Sequence, residues 1–542
     1  MPPLPLMAPR TALSGRAVAR TQTGGWGGPY SVTPGVHLFT DWRWVQPGHV
    51  RWVDAAGANA PLGGDGPFVD AQPVPNNVPR GLHLEAQPAS LLGPLLGHTK
   101  PWEASGVMPA QMYREGGRYR LWYMSGDGMD HNLCYAESTD GVAWGKPSLG
   151  LVEWEGSRDN NIVFGGHLAA ATGIHGPGVF LDPSCSNAER YKLIFIGRPR
   201  GPAGEAACRQ LLERFKRERP ADIDPNVADP KRFTALYGAV SSDGLRWTML
   251  PEPLVLHQSD TANVAYFDQQ LERYVWYGRC NWWYGRRCIG RSETTDFRRF
   301  PTPELVAWPN TDVLASDDWY TNCKTVYPGS PTEHLLFPQL YRRAEDRFEV
   351  ELFSSPDGIH WSRVPGGPVI SPGPPGTWNG EWIGTAPSLL PLEDNRVGLP
   401  FHGLRYPHKF PRRADVLWAQ LGLATWPAGR LSAIVASGEG AFVTPQLEVV
   451  GRMLRLNTQV RRAGRLGVQV EAPRRAPAGG QQGAELPVLP GRGIDDCDPI
   501  YGDHLAHTVT WHGESDLGHA GGEPIVLRFQ LRAAKLFAFE LV

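Results

Sequence analysis

The chain has 542 residues, more than one domain usually contains, so we expect two domains or one large closed array of repeats. Its 53 Lys and Arg nearly balance its 55 Asp and Glu, which argues against nucleic acid or an anionic membrane as a partner. Abundant Gly (63), Pro (51) and Trp (20), with few long amphipathic stretches, predict an all-β protein with many turns.

Residues 1–34 predict a disordered or extended leader. This segment contains arginines and small residues but no apolar stretch of the kind that a secretory signal needs, so we expect a cytoplasmic protein, with secretion as the alternative. The chain has no run of about eighteen apolar residues, so no membrane span is expected. The seven cysteines form no CxxC pair and no zinc-like spacing, which favours reduced thiols.

A unit of about fifty residues repeats between residues 35 and 432. The phrase AESTDGVAW (136–144) returns as VSSDGLRW (240–247), SETTDFRRF (292–300) and SSPDGIHW (354–361). Each unit reads as four strands separated by turns that contain Gly or Asp. We interpret the phrase as the turn between the third and fourth strands, with its aromatic residue packed between neighbouring sheets. Five such units predict a five-bladed β-propeller.

Two segments depart from this repeat. Residues 200–232 are an insert in the second unit, with a predicted helix over about 203–217. We interpret it as a surface helix, with the rim of a pocket or of an oligomer interface as the alternatives. After residue 432 the phrase is lost, and stretches such as RLGVQVEAP and PIVLRFQLRAAKLFAFELV alternate apolar and polar residues. They predict a C-terminal antiparallel β-sandwich over residues 433–542.

The propeller geometry predicts where a site would form. The first strand of each blade lies nearest the central axis, so residues that precede the first strands meet in one funnel. Reading back from the five first strands gives Glu103, His175, Asp260, the pair Asp317–Asp318, and Glu381. Acidic residues around one cavity suit glycosidic cleavage, in which one carboxyl protonates the leaving oxygen and another activates water or attacks the sugar. Nearby aromatic side chains offer flat faces for sugar rings.

On these residues, the segment 35–432 resembles the five-bladed propeller superfamily of glycoside hydrolases that includes families 32, 43 and 68. The resemblance rests on the blade pattern and on the stretches YRLWYMSG (119–126), HNLCYAESTDGVAWGKPSLGL (131–151) and GSRDNNIV (156–163). The C-terminal region resembles the β-sandwich of family 32. The resemblance implies an axial site with an acidic base or nucleophile, a second Asp that stabilises the transition state, and a Glu as acid.

Two motifs of family 32 are missing from this sequence. KPWEASGVMP (100–109) stands where that family has WMNDPNG, and no Glu-Cys-Pro acid motif is present. Asp182, in FLDPSCS, follows a first strand and is expected to lie in an outer turn. Catalytic roles are therefore assigned by position alone.

By position, Glu381 is predicted as the general acid, Asp260 as the base or nucleophile, Asp318 as the third carboxylate and Glu103 as the reserve candidate. The predicted substrate contacts are His175, Asn263, Trp282, Trp319, Tyr320, Asn322, Tyr341, Trp382, His402 and Arg405. The alternative for each acid is a carboxylate that caps a turn or pairs with Arg. No metal ligand and no cofactor is expected, although His402 could instead hold a structural central ion such as calcium.

The sequence predicts a glycoside hydrolase, with transglycosylation as a variant, that cleaves a furanoside such as a fructofuranosyl or arabinofuranosyl linkage from a chain end. One alternative is a non-catalytic carbohydrate-binding propeller. A second is a glycoside phosphorylase, which needs basic side chains near Glu381. The expected partner is an oligosaccharide or glycoside, with no nucleic acid and no membrane; self-association into a homo-oligomer remains open.

Overall fold

The computed structural model describes residues 29–47, 78–127, 130–170, 172–201, 203–227, 233–282, 285–409, 418–472 and 487–542. The predicted leader lies outside the described residues up to residue 28. The chain divides into two compact units, Glu85–Leu431 and a second unit that combines Met1–Leu84 with Ser432–Val542.

The strands follow in chain order as β1 Tyr30–Ser31, β2 Val36–Leu38, β3 His83–Ala86, β4 Ser90–Leu96, β5 Met108–Glu115, β6 Arg118–Asp127, β7 Asp130–Ser138, β8 Ile162–Phe164, β9 His175–Leu181, β10 Tyr191–Gly197, β11 Ala235–Ser241, β12 Thr248–Met249, β13 Val264–Asp268, β14 Arg273–Trp282, β15 Arg286–Thr294 and β16 Glu304–Ala307. They continue as β17 Asp317–Trp319, β18 Lys324–Tyr327, β19 Ser330–Leu336, β20 Gln339–Arg342, β21 Arg347–Val350, β22 Phe353–Ser355, β23 Ser362–Arg363, β24 Trp382–Thr385, β25 Leu390–Leu392, β26 Arg396–Leu404, β27 Gln420–Pro427, β28 Ser432–Val443, β29 Leu447–Glu448, β30 Leu454–Glu471, β31 Gly502–Thr508 and β32 Val526–Leu541. The helices are α1 Gly166–Ala169 and α2 Gly204–Glu218, with single 3-10 turns at Asn187–Glu189, Pro220–Asp222 and Pro225–Val227. The prediction of an all-β protein is confirmed.

Within Glu85–Leu431, the sheets are antiparallel meanders arranged as propeller blades. Strands β5–β8, β9–β12 and β13–β16 form three four-stranded sheets in chain order. The next stretch forms the two sheets β17-β20-β21 and β18-β19-β22-β23, because the chain leaves strand geometry between β17 and β18. If this interrupted pair is one blade, the sheets give the five blades that the repeat predicts.

The last sheet, β24-β26-β27-β4, takes its outer strand from the start of the unit. Strand β4 pairs antiparallel with β27, so the beginning and the end of this unit share one sheet. Strand β5 contacts β9, β9 contacts β13, and β26 contacts β5, so the first and last sheets are neighbours. The pairing of β4 with β27 covers a sheet edge that would otherwise be open.

The repeated Ser-x-Asp-Gly phrase builds the turn that follows β7, β11 and β22. In the first copy, Ser138 Oγ accepts the N–H of Gly141 at 2.9 Å, and Asp140 Oδ1 accepts the next two backbone N–H groups at 2.8 Å each. The same bonds recur at residues 241–246 and 355–360. These backbone bonds lower the pKa of the Asp140 carboxyl. The acid of the phrase therefore shapes a turn.

The glycine carbonyl of the phrase also joins neighbouring sheets. Trp122 on β6 donates its ring N–H to the carbonyl of Gly244 in the next sheet, at 2.7 Å. Tyr277 on β14 donates its hydroxyl to the carbonyl of Gly358 in the sheet after its own. The structural interpretation of the repeated phrase is confirmed, because its atoms bond to backbone or to the adjacent sheet.

Gly244→Ala is expected to lower the free energy of unfolding by about 1–3 kcal/mol. Gly244 has φ +75°, and an added Cβ would lie 2.7 Å from the Trp122 ring. The matched control is Gly116→Ala, where φ is +57° but no atom lies within 4 Å of the added Cβ. Urea unfolding monitored by Trp fluorescence measures both variants. Equal losses in the two variants would mean that the contact with Trp122 adds nothing to the backbone cost.

The insert in the second unit forms the predicted helix, α2. Cys208, Leu212 and Phe215 recur at helical spacing and are buried in the same apolar cluster as Phe195 and Tyr237 of the underlying sheet. Charged residues occupy much of the remaining surface of the helix. None of its described residues lines the cavity discussed below, so the interpretation as a surface helix is favoured over a pocket rim.

The second unit is built around one six-stranded sheet in the order β3-β28-β32-β30-β31, with β2 also paired to β32. Strands β1 and β29 form a separate parallel pair. Val36–Leu38 and His83–Ala86 thus belong to this sheet, whereas the sequence analysis placed residues 35–432, and with them both of these strands, in the propeller. The pairing of β2 with β32 leaves no local signal in the sequence. A β-sandwich needs a second sheet packed on this one, and that part of the predicted C-terminal sandwich stays a prediction.

No described helix combines the length and the apolar character that crossing a membrane requires. All seven cysteines are free, and six of them are buried. The cytoplasmic location stays a prediction.

Candidate functional site

A cavity of about 510 Å³ lies where the inner ends of the blades meet. Its described lining includes Met108 and Pro109 of β5, His175–Pro177 of β9, Asp260–Val264 before and in β13, Tyr320, Thr321 and Cys323, Trp382 and Thr385 of β24, and His402–Lys409 in part. Segments that are far apart in the sequence therefore share one concave surface. Cys323 has φ +43°, so the break between β17 and β18 that places Tyr320 in the lining is a strained conformation.

Asp260 is the only Asp or Glu among the described residues that line this cavity. Half of its side-chain surface is exposed. Arg279 Nη1 binds Oδ2, and His175 Nε2 lies 3.0 Å from Oδ1. Partial burial would raise the pKa of the carboxyl, but Arg279 and His175 outweigh burial and hold the pKa of Asp260 well below its ordinary value. Asp260 is therefore a carboxylate at neutral pH.

His175 links Asp260 to a second imidazole. The Nδ1 atoms of His175 and His131 are 3.3 Å apart, and the ring centroids are 5.0 Å apart. When His175 is neutral and donates its Nε2–H to Asp260, its Nδ1 accepts and His131 Nδ1 donates. A carboxylate and two imidazoles thus form a continuous chain along which a proton can be held or moved.

Arg279 is fixed by a carbonyl and an aromatic ring as well as by Asp260. Its Nε and Nη2 donate to the carbonyl of Tyr320 at 3.1 and 2.7 Å, and the guanidinium lies 4.1 Å from the centre of the Tyr320 ring. Only 3% of the side chain is exposed. Because these contacts hold Arg279 in one conformation, its guanidinium positions the Asp260 carboxylate and keeps it ionised.

A buried imidazolium supports Arg279 from behind. His257 Nε2 lies 2.9 Å from the carbonyl of Arg279, and Nδ1 lies 2.7 Å from Asp224 Oδ2 in the insert. Burial would lower the pKa of His257, but Asp224 and then Cys280 outweigh it and raise the pKa to about 10. Nε2 contacts the carbonyl oxygen of Arg279, and Nδ1 forms an ion pair with Asp224.

Aromatic side chains form one wall of the cavity. The Tyr320 hydroxyl lies 3.0 Å from His408 Nε2, and the Trp382 ring meets the His408 ring edge-on at a centroid distance of 4.6 Å. Phe348 supports Trp382 from behind, with ring centroids 5.4 Å apart. The ring face of a residue such as Trp382 suits contact with the apolar face of a sugar.

Two histidines in this wall are held neutral. Burial lowers the pKa of His402 to about 4, and burial followed by nearby cations lowers the pKa of His408 to about 4. Neither ring nitrogen of His402 has a hydrogen-bond partner in the described part of the chain. Both nitrogen atoms are themselves buried, which agrees with a neutral ring.

The free energy of unfolding is expected to fall as pH decreases from about 6.5 to about 4, because the unfolded chain binds protons there that folded His402 and His408 do not. His402→Gln should remove a share of this fall, on the order of 1–3 kcal/mol at pH 4. Melting temperatures measured between pH 7 and pH 4 test this, with the exposed His360→Gln as control. A pH profile that His402→Gln leaves unchanged would contradict a neutral His402.

The described residues contain no group of three or more His, Cys, Asp or Glu placed to hold a metal ion. His402 alone would offer a central ion one nitrogen ligand, so these residues do not fit the ion that the resemblance allowed. No step of the chemistry is assigned to a metal.

Glu103 has a structural environment, contrary to its predicted role as a reserve base. It is fully buried, and its Oε1 lies 2.6 Å from both Lys146 Nζ and the Tyr123 hydroxyl. Its Oε2 accepts the backbone N–H groups of Thr99 and Lys100 at 2.8 and 3.0 Å. Every lone-pair direction is engaged, and the side chain does not line the cavity.

Asp318 is likewise fully buried, contrary to its role as a third carboxylate in the funnel. Arg287 Nη1 lies 2.8 Å and Arg343 Nε 2.6 Å from Oδ2, while Oδ1 accepts the backbone N–H of Arg287. Asp318 therefore holds Arg287, which does line the cavity. Glu381 is half-buried and is absent from the described lining, although the next residue, Trp382, belongs to it. Its role as the acid stays a prediction.

The predicted substrate contacts divide into two groups. The cavity lining contains His175, Asn263, Tyr320, Trp382 and His402.

The other predicted contacts lie elsewhere. Trp319 is in the core, the Asn322 amide donates to the carbonyl of Ala262 at 2.6 Å, and Tyr341 donates to Asp346 at 2.8 Å. Arg405 is exposed and outside the described lining. The side chain of Trp282 lies outside the described residues.

Several residues that line the cavity were not predicted from the sequence. Arg287, His131, Gln339 and Lys409 all belong to the cavity. His131, Arg287 and Gln339 lie on second or third strands, whereas the predicted site residues precede first strands. The inner ends of second and third strands also reach a propeller axis, and reading those ends would have found them.

Among known proteins, this chain is similar only to solved structures in the comparisons made. No family model matches the chain, and no curated protein matches it. An N-acetylgalactosamine deacetylase from F. plautii, in complex with blood group B trisaccharide, is similar at a TM-score of 0.43 and 11% identity, over 64% of this chain and 96% of that one.

Two further similar structures are arabinofuranosidases. The catalytic domain of the GH62 alpha-L-arabinofuranosidase of Coprinopsis cinerea has a TM-score of 0.40 at 13% identity, over 63% of this chain and 97% of that one. An alpha-L-arabinofuranosidase from Lactobacillus brevis has a TM-score of 0.40 at 13% identity, over 62% and 92%. Similarity at this level carries no information on the reaction or the substrate of this chain.

Proposed function

We propose that this protein is a glycoside hydrolase that cleaves a furanoside at a chain end, with Asp260 as base or nucleophile. The observation that carries the proposal is a single ionised carboxylate in an aromatic-walled cavity, held by Arg279 and His175. A carboxylate with a depressed pKa is ionised and can attack an anomeric carbon; it is weakened as a base, and it cannot act as an acid at neutral pH. A cavity rather than an open groove favours action at a chain end.

A second group must protonate the leaving oxygen. Glu381 is one candidate: it is half-buried beside Trp382, with a carboxyl that is free of ion pairs among the described residues. His175 is the other, since its ring lies in the cavity and its two nitrogens contact Asp260 and His131. Glu381→Gln and His175→Gln distinguish the two, because an aryl glycoside with a good leaving group rescues only the variant that lacks the acid.

A panel of 4-nitrophenyl glycosides tests the function itself. We expect release of 4-nitrophenol from an arabinofuranoside, and of reducing sugar from a fructofuranoside, to exceed release from the matching pyranosides. Sugars that raise the melting temperature without any turnover would instead favour the carbohydrate-binding alternative. Turnover only in the presence of phosphate would favour a phosphorylase, for which Arg287 and Lys409 supply basic groups in the lining.

A further inference from the structure

We propose that the cavity contains a subsite for an anionic oxygen group, formed by Arg287 and Lys409 beside Tyr320 and His408. The group is the carboxylate of an acidic sugar or a phosphate, and the two share the chemistry of an oxyanion. The proposal deepens the proposed function, on which it rests for the sugar itself. It adjoins the Asp260 carboxylate, because the Tyr320 ring contacts both Arg287 and Arg279, and Arg279 binds Asp260.

Arg287 is partly free to bind a ligand. It lies on β15 and lines the cavity, and its guanidinium is 5.0 Å from the centre of the Tyr320 ring. Its Nη1 donates to Asp318, whereas its Nε and Nη2 have no acceptor among the residues that the structure describes. The ring and the ion pair orient the guanidinium while leaving two N–H directions for a planar or tetrahedral oxyanion.

The charges around Arg287 do not balance. Arg287 and Arg343 share the single buried carboxylate of Asp318, so this group carries one positive charge in excess. Asp260, the acid of the described lining, is already paired with Arg279. A cation without its own counter-ion in a low-dielectric cavity attracts an anionic ligand.

Lys409 adds a second cation at the same wall. It is exposed and lines the cavity, and its backbone N–H donates to Asp346 Oδ2 at 2.8 Å. The other oxygen of Asp346 accepts the Tyr341 hydroxyl at 2.8 Å. The ammonium of Lys409 has no acceptor in the described part of the chain, so it can reach a ligand on its flexible stem.

The environment of His408 supports the same charge pattern. After burial, the positive charges of Lys409, Arg287 and Arg279 push its pKa down, and Asp346 alone opposes them. The imidazole is thus neutral in the midst of cations, with its Nε2 at the Tyr320 hydroxyl. An oxyanion placed here would meet two cations and a hydroxyl.

Isothermal titration calorimetry with the full chain tests the subsite. The probes are inorganic phosphate, galacturonate and glucuronate, each sugar acid compared with neutral galactose or glucose. We expect an acidic probe to bind at least tenfold more tightly than its neutral counterpart, and Arg287→Met and Lys409→Met each to weaken that binding about tenfold. Preference for the sugar acids identifies a uronate as the source, and preference for phosphate identifies a phosphate.

Matched variants separate this test from folding and from the proposed function. Arg158→Met removes an exposed cation outside the described lining and should leave binding unchanged. Lys409→Met keeps the test decisive if Arg287→Met, which alters the Asp318 pair, fails to fold. Equal binding of acidic and neutral probes, or unchanged binding in both variants, overturns the subsite. Furanoside turnover without tighter binding of the acidic probes supports the proposed hydrolase and contradicts the subsite. Tighter binding of the acidic probes without turnover supports the subsite and contradicts the hydrolase.

Discussion

Asp260→Asn is expected to lower kcat/KM on the best furanoside by about 10²–10⁴-fold while leaving the fold intact. The substitution keeps the shape of the side chain and can still accept a hydrogen bond from Arg279, but it removes the negative charge that accepts a proton or attacks the sugar. Steady-state kinetics on the aryl furanoside measures the loss. Circular dichroism and the melting temperature verify that the variant is folded.

The control for Asp260→Asn is Asp159→Asn, an exposed Asp whose carboxyl forms no ion pair among the described residues. It should retain full activity. If Asp260→Asn also retains full activity, the catalytic role of Asp260 is wrong, and another group must supply the base or nucleophile. A rise in KM alone, with kcat unchanged, would assign Asp260 to substrate binding rather than to the chemical step.

Glu103→Gln is expected to lower the free energy of unfolding by about 3–5 kcal/mol, because it leaves the Lys146 ammonium buried without its counter-ion. Only 5% of the Lys146 side chain is exposed, and burial already lowers its pKa. Urea unfolding followed by fluorescence and circular dichroism measures the effect. Activity, assayed well below the melting temperature, should fall far less than it does in Asp260→Asn.

A double variant shows whether the Glu103–Lys146 pair itself is responsible. Glu103→Gln with Lys146→Met removes both charges, so it should be more stable than Glu103→Gln alone. Loss of activity with unchanged stability in Glu103→Gln would restore the predicted catalytic role. Additive losses in the double variant would mean that the two side chains act independently.

The repeat in the sequence was sufficient to predict the all-β fold and the structural role of the repeated phrase. Its Asp and Gly make local turn bonds, and local bonds leave a local pattern. The partners of β2 and β4 were not predictable in this way, because β2 pairs with β32 and β4 with β27. Such pairings depend on which distant strand has a free edge, and no neighbouring residue encodes that.

The candidate site was predictable only in part, for a similar reason. Asp260 was found because it precedes a first strand, and its side chain meets the cavity. Glu103 and Asp318 also precede first strands, yet both carboxylates are buried in ion pairs. Glu103 pairs with Lys146, and Asp318 pairs with Arg287 and Arg343. The position of a residue in a blade predicts where its backbone lies relative to the cavity. Whether a carboxylate stays free depends on cations that come from other strands.

The pairing of β4 with β27 has a consequence for biosynthesis. Leu91 of β4 pairs with Ala424 of β27, which is synthesised more than 300 residues later. The final backbone bonds of this unit can therefore form only after almost the whole of it has left the ribosome. Until then, a leucine-rich strand has no partner and is open to pairing with another nascent chain. Folding of this unit is therefore completed late in translation, and premature termination before residue 420 would yield an aggregation-prone fragment rather than a smaller stable protein.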